Sequence, residues 1–410
     1  MSATNEKNSW IHGIGPGLIV AALVFGPSKL TITSKIGANH EYGLLWVIAV
    51  AIFFMAVYTV IAERIGIASE KTLLAMIGER WGKGFSMLIG IAIFLVCTSF
   101  QAGNSVGVGI AIGELTGTSN VIWIIVFNCI GIGLLFFRKF YNVLEKVMMF
   151  LVGLMLLAFL ITLFEVKPNV TGVAKGFIIP HIPEGSMGLI IAFMASCFSI
   201  VGAFYTSYLV QERKKAAKGL ESRSKNSSLT GIIILGLLSA IVMICAGAIL
   251  FPQGIEVKTA TDMSMALEPA FGVCASAVFL IGLFAAGFSS IVGNATVGGT
   301  LLSDAFGGGG AFSSSKTRVY IALVMIVGAI ISILFGGAPL ELIVFAQSIT
   351  IFIVPLIGVT MFFIANDKKY MGENKINPLF KDIGSARVNC DCFAGCGEFH
   401  RYFPKIICCF

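Results

Sequence analysis

The sequence predicts an all-α polytopic membrane protein. Ten crossing helices form two five-helix repeats of opposite topology, with the first and sixth helices broken. Three observations carry this. The 410 residues are 57% hydrophobic and 12% charged, with mean hydropathy +0.93, whereas soluble domains carry roughly 25% charged residues. Apolar runs of about 20 residues recur along the chain, each long enough to cross hydrocarbon as a helix, which excludes a β-barrel pattern. Two of these runs carry internal breaks at matching places, the first and the sixth.

The first span, 13–37, reads GIGPGLIVAALVFGPSKLTITSKIG and is interrupted at Gly26-Pro27-Ser28-Lys29. A broken helix at membrane depth leaves backbone N–H and C=O groups that lipid cannot satisfy, so it persists only beside a buried site or cavity. The N-terminal MSATNEKNSW lacks a basic region followed by a short apolar run and cleavage site, so the first helix itself is expected to direct insertion.

Span two covers 42–62, followed by a connector carrying Arg64, Lys71, Arg80 and Lys83. Span three, 85–113, holds Gly103, Gly107, Gly109 and Gly113 at spacings that let a neighbouring helix approach closely. Its GVGIAIG string follows no strand, so it reads as helix packing and not as a dinucleotide loop. Spans four (121–137) and five (144–164) follow, then a polar connector to Gly185.

Span six, 187–210, contains the second break, Ser199-Ile200-Val201-Gly202, and ends in a basic run from Arg213. Spans seven (229–251), eight (about 270–302), nine (319–335) and ten (340–365) complete the set. The Gly307 to Gly310 run reads as a flexible turn. The chain thus divides into an N-terminal segment 1–12, a first repeat 13–165, an outer connector 166–186, a second repeat 187–365 and a tail 366–410.

The formal charge of +7 is a membrane feature, because basic residues gather in alternate loops. One side holds Lys7, the connector after span two, Arg138, Lys139, the Arg213 to Lys225 cluster, Lys316, Arg318, Lys368 and Lys369. The other has only Lys167, Lys175 and Lys258. The positive-inside rule then places both termini in the cytoplasm, with membrane lipid as the surrounding partner and no role for nucleic acid. Of ten cysteines, Cys97, Cys129, Cys197, Cys245 and Cys274 fall in apolar segments as packing residues, and no disulfide framework is apparent.

Several segments resemble the Nramp family, the LeuT-fold divalent-metal transporters. GPGLIVAALVFGPSKL begins the match, and LVQER (209–213), IGLFAAGFSS (281–290), AQSITIFIVPL (346–356) and NDKKYMG (366–372) extend it. The resemblance covers about 13–372 and implies a LeuT-like fold with a substrate site between the two broken helices.

The residues at the family's functional positions differ. Its first-helix metal-ligating Asp falls on Gly26 and its Asn on Lys29, leaving only Pro27 of that motif. The Met-Pro-His stretch of helix six falls on Ser199, Ile200 and Val201, and a later His on Thr206. The acidic pair linked to proton transfer falls on Gln101 and Asn104, neutral amides that cannot relay a proton as carboxylates do. Gln347 matches a family glutamine in span ten, while its sister position is Ile353.

Transition metals seek carboxylate, thioether or imidazole ligands, and hard divalent ions seek oxygens near negative charge. Gly26 and Val201 supply no side-chain ligand, and Lys29 repels a cation. Half-helix N-termini favour a carboxylate, and the opposite carbonyl ends favour an ammonium. The small residues Gly26, Ser28, Ser199, Gly202 and Ala203 leave room between them.

The sequence therefore predicts a secondary transporter for a small neutral amino acid such as alanine, glycine or serine. Its expected binding set is Gly26, Pro27, Ser28, Lys29, Gln101, Asn104, Ser199, Ile200, Val201, Gly202, Ala203 and Gln347, with no metal ligand or cofactor and the coupling ion open. Lys29 has three readings: carboxylate ligand, fixed charge replacing a coupling cation, or a side chain snorkelling to the outer interface. The alternatives in function are a Mn²⁺ or Mg²⁺ transporter and a non-transporting membrane sensor. An enzyme is not expected, because the spans hold no nucleophile–base pair or nucleotide loop. The tail beyond Phe380, with Cys390, Cys392, Cys396 and His400, departs from the family and offers only short Cys-x-Cys spacing for a metal.

Overall fold

The computed structural model describes residues 25–197, 199–216, 227–308, 314–334, 339–350 and 353–372. The first half of span one and the Cys-rich tail lie outside them. Within them the chain is a helical bundle. The order is α1 (Pro27–His40), α2 (Leu45–Ala68), α3 (Leu73–Trp81), α4 (Lys83–Thr116), α5 (Asn120–Leu134), α6 (Arg138–Val166), α7 (Val170–Ile178), α8 (Met187–Cys197) and α9 (Ile200–Ala216). It continues through α10 (Ser227–Ile249), α11 (Ala260–Ser264), α12 (Glu268–Phe271), α13 (Ala275–Ala305), α14 (Ser315–Leu334), α15 (Pro339–Ile349), α16 (Val354–Asn366) and α17 (Lys368–Met371).

Seven segments among the described residues are long and apolar enough to cross a membrane, one of them running through both α8 and α9. The remaining predicted spans are α1, the 15-residue α5 and the pair α15 and α16. Span ten was expected as one helix over 340–365. It is interrupted between Ile349 and Val354, because Pro355 has no N–H to donate and restricts the residue before it. Its ring instead suits the first turn of α16.

The connectors hold short helices that apolar periodicity alone does not announce. Thr72 caps α3, its hydroxyl accepting from Ala75 N at 3.2 Å. Gly82, at φ +94°, turns the chain into α4, a backbone state that only glycine enters freely. Asn169 caps α7 by accepting from Thr171 N and Gly172 N. Thr259 and Asp262 form a capping box on α11.

Large apolar side chains such as Phe150, Phe164, Leu237 and Leu334 face outward, as expected where lipid and not water is the solvent. Cys97, Cys197 and Cys245 are buried as predicted, whereas Cys129 and Cys274 are exposed. The long helices α4 and α13 pack against each other through the middle of the bundle. There a Cβ added at Gly298 would lie 2.6 Å from Cys97 Cβ. Small residues at such crossings allow backbones to approach where no hydrophobic force drives helices together.

Candidate functional site

Both predicted breaks are helix starts. Gly26 is the extended N-cap of α1, accepting Lys29 N at 3.1 Å and Leu30 N at 3.2 Å, and Pro27 opens the first turn. In span six the break lies earlier than expected. Ser199 is non-helical and α9 resumes at Ile200. The Ser199 carbonyl accepts from Ala203 N at 2.9 Å and its hydroxyl from Gly202 N at 3.3 Å. Ile200, Val201 and Gly202 are therefore the first turn of the second half-helix. Two N-termini, each with N–H groups outside the helical ladder, flank the interruptions.

The position of α1 is fixed by the glycine face of α4. A Cβ at Gly107 would come within 2.3 Å of Pro27 Cβ, and one at Gly103 within 2.8 Å of Ser28 Oγ. Gly287 of α13 closes the other side, where a Cβ would lie 3.1 Å from Pro27 Cγ. The proline ring is thus seated between two helices. The Thr33 hydroxyl donates to Lys29 O at 2.6 Å and steadies the same turn.

Beside this turn lies a cavity of about 140 Å³. Its walls bring together Gly26, Ser28, Lys29, Asn104, Ser199, Val201, Gly202 and Gln347 from the predicted set. Phe100, Ser196, Ser290, Gly293, Asn294 and Val297 complete it. Gly26 faces Asn104 and Ser290 directly: its missing Cβ would stand 3.2 Å from Asn104 Oδ1 and 3.0 Å from Ser290 Oγ. The α13 residues of this wall are not in the set that the sequence predicts. The i, i+3, i+4, i+7 spacing of 290, 293, 294 and 297 puts them on one helix face, a signal that was available.

Four predicted residues sit elsewhere. Pro27 is the wedge just described. Ile200 packs towards Gly358, and Ala203 is buried in the core. Gln101 is fully buried in an amide network: it accepts from Asn294 Nδ2 and donates to Asn128 Oδ1, each at 3.4 Å. Asn128 Nδ2 in turn donates to Ser105 Oγ at 3.0 Å and to Ile124 O at 2.8 Å. The glutamine thus holds α4, α5 and α13 together behind the cavity wall.

Three of the lining residues carry a buried polar atom without a hydrogen-bond partner among the described residues: Ser28 Oγ, Lys29 Nζ and Gln347 Oε1. Lys29 is 2% exposed and its Nζ has no hydrogen-bond partner among the described residues; the weakly polar Cys197 thiol is the group that it faces. Gln347 Oε1 is likewise buried without a partner. Among the described residues, no Asp or Glu lines the cavity and no cluster of three His, Cys, Asp or Glu side chains occurs. A divalent ion about 4 Å from a lysine ammonium is opposed by about 8 kcal/mol at an effective dielectric near 20.

Residues 17–388 match the family described as Natural resistance-associated macrophage protein-like, Nramp. The match spans most of the chain, which therefore belongs to the Nramp family and is a multi-pass secondary membrane transporter. Among its relatives, a divalent metal cation transporter MntH of Caldanaerobacter subterraneus subsp. tengcongensis is 24% identical over 391 residues, covering 92% of this chain and 90% of the relative. The MntH of Deinococcus radiodurans is 26% identical over 381 residues, 90% of this chain and 85% of that one.

The structure of the Eremococcus coleocola manganese transporter, in complex with an aromatic bis-isothiourea substituted compound, superposes with TM-score 0.70 at 16% identity, covering 99% of this chain and 93% of that one. Mhp1, a nucleobase-cation-symport-1 family transporter with bromovinylhydantoin bound in a closed conformation, superposes with TM-score 0.60 at 14% identity, over 85% and 77% of the two chains. These likenesses define the LeuT-type fold.

Proposed function

We propose that the cavity carries a small neutral amino acid across the membrane by alternating access. The observation that supports this is that Lys29 and Gln347 line one cavity and that the Lys29 Nζ donor and the Gln347 Oε1 acceptor are each buried without a partner among the described residues, as is Ser28 Oγ. A carboxylate and an ammonium on one small ligand complement Lys29 and Gln347. A cavity of about 140 Å³ is the size of one that holds benzene, a molecule of about six heavy atoms. Alanine has the same number. The Ser199 and Gly26 half-helix starts add partial positive charge on the carboxylate side.

A second reading has a different support. The relatives are named for divalent metal ions or manganese, which favours Mn²⁺ or a similar ion as cargo by kinship. Against it stands a site in which the family's carboxylate position is Gly26 and a lysine lines the wall. The positive-inside count supports cytoplasmic termini under either reading.

Thermal stabilisation of the detergent-purified protein separates the two, since a ligand that binds only the folded state raises its midpoint. Stabilisation by alanine, glycine or serine without response to Mn²⁺ or Mg²⁺ is the expected result. Stabilisation by a divalent ion alone sinks the amino-acid reading. Flux of the stabilising ligand in proteoliposomes then separates a carrier from a sensor.

A further inference from the structure

We infer that Lys29 sets the charge selectivity of the cavity, acting as a resident cation that admits a carboxylate and turns away free cations. This rests on the amino-acid reading only for the ammonium end of the ligand. Selection at the carboxylate end holds for any small monocarboxylate.

Lys29 lies in the first turn of α1, whose start is held by Pro27 between Gly107 and Gly287. The side chain is 2% exposed, so it does not snorkel to an interface. Lys29 lines the cavity, and its Nζ is buried without a hydrogen-bond partner among the described residues. The other polar wall groups are hydroxyls and amides, and Lys29 is the one ionisable side chain among the described residues that line the cavity.

A buried ammonium without a counter-ion is costly, and the group that relieves it best is a carboxylate in a charge-assisted hydrogen bond. An entering cation meets the reverse: repulsion from Lys29, with neutral acceptors alone in compensation. A bound monocarboxylate then forms a neutral ion pair with Lys29, and a bound zwitterion leaves the site with the single positive charge of Lys29, in neither case with a co-bound metal, Na⁺ or other cation.

Gln347 grades the ligands within that class. A monocarboxylate lacking an amino group satisfies Lys29 but leaves Gln347 Oε1 unpaired, and an unpaired buried acceptor weakens binding by about 5- to 150-fold. An alkylammonium lacking a carboxylate satisfies Gln347 but confronts Lys29. The order is therefore alanine, then propionate, with ethylammonium excluded.

The test measures the thermal midpoint of the purified full-length protein against alanine, propionate, ethylammonium and Mn²⁺ at matched ionic strength, in wild type, Lys29→Gln and Lys29→Glu. Wild type is expected to respond to alanine and more weakly to propionate, and not to the two cations. Lys29→Gln should need at least about tenfold more of either carboxylate for the same shift, a loss of one charge-assisted hydrogen bond. Lys29→Glu should lose both and gain a response to ethylammonium or Mn²⁺. If the glutamate variant fails to fold, the glutamine variant alone decides.

Stabilisation of wild type by either cation overturns the inference. So does an unchanged carboxylate response in Lys29→Gln, or a wild type that answers to none of the four. A response to propionate with none to alanine overturns the amino-acid reading and leaves Lys29 as the charge selector.

Discussion

Gly107 of α4 lies directly against Pro27 of α1, so close that a methyl group on the glycine would come within 2.3 Å of the proline Cβ. Proline ring and glycine face form one joint, which sets where the half-helix starts and how Ser28 and Lys29 meet the cavity. Gly107→Ala forces the ring to move, and overpacking of this kind costs about 1–3 kcal/mol. The expected outcome is a folded protein with a lowered thermal midpoint and impaired substrate flux. Flux equal to wild type would show that the joint does not position the site.

Gly26 offers a second steric prediction. Its Cβ position is only 3.0 Å from Ser290 Oγ and 3.2 Å from Asn104 Oδ1, so a branched side chain there projects into the wall of the cavity. Gly26→Val should reduce uptake by at least about tenfold, equivalent to about 1.4 kcal/mol, while the protein still purifies as a folded species. Retained uptake would remove Gly26 from the site.

The amide network makes a prediction about coupling. Asn294, Gln101, Asn128 and Ser105 run from the cavity wall across α4 to α5 by hydrogen bonds, and none of the four side chains titrates in the physiological range. Amino-acid counterflow in proteoliposomes should therefore be unmoved by an imposed pH gradient. Concentrative uptake driven by that gradient would mean that a proton path exists elsewhere. The same network predicts that Asn128→Leu, which strips Gln101 and Ser105 of a partner, destabilises the bundle by about 1–3 kcal/mol, read as a lower thermal midpoint.

The bundle and its breaks were legible because they rest on backbone chemistry. Gly26-Pro27 and the apolar runs say where helices must stop and start. What local pattern could not show was which polar residues converge. Gln101 and Asn104 are three residues apart on one helix, yet Asn104 meets the cavity and Gln101 turns to Asn128 and Asn294, partners that only tertiary packing brings to it. The interruption in span ten was equally hidden, since 340–365 is apolar throughout most of its length and only Pro355 hints at the restart of α16.

The opposite end of the sixth span carries the last prediction. Tyr208 of α9 is 6% exposed and donates its hydroxyl to Asp304 Oδ2 of α13 at 2.7 Å, while accepting from Leu74 N of α3 at 3.3 Å. Nearby, Gln211 Nε2 donates to Ser69 O at 3.1 Å and Lys71 O at 2.7 Å. Arg80 pairs with Asp367 beyond the end of α16. Together these bonds tie α9, α3, α13 and the exit of span ten into one clamp below the cavity. Tyr208→Phe keeps the ring and removes both roles of the hydroxyl, leaving a carboxylate oxygen and a buried N–H without that partner, at a cost of about 1–3 kcal/mol. If the clamp holds this end closed, a cysteine placed at Thr206 in the variant should react faster with a membrane-impermeant thiol reagent added from that side than the same cysteine in the parent. The thermal midpoint should fall as well. A lower midpoint with unchanged labelling would make Tyr208 a packing residue and not part of a closure.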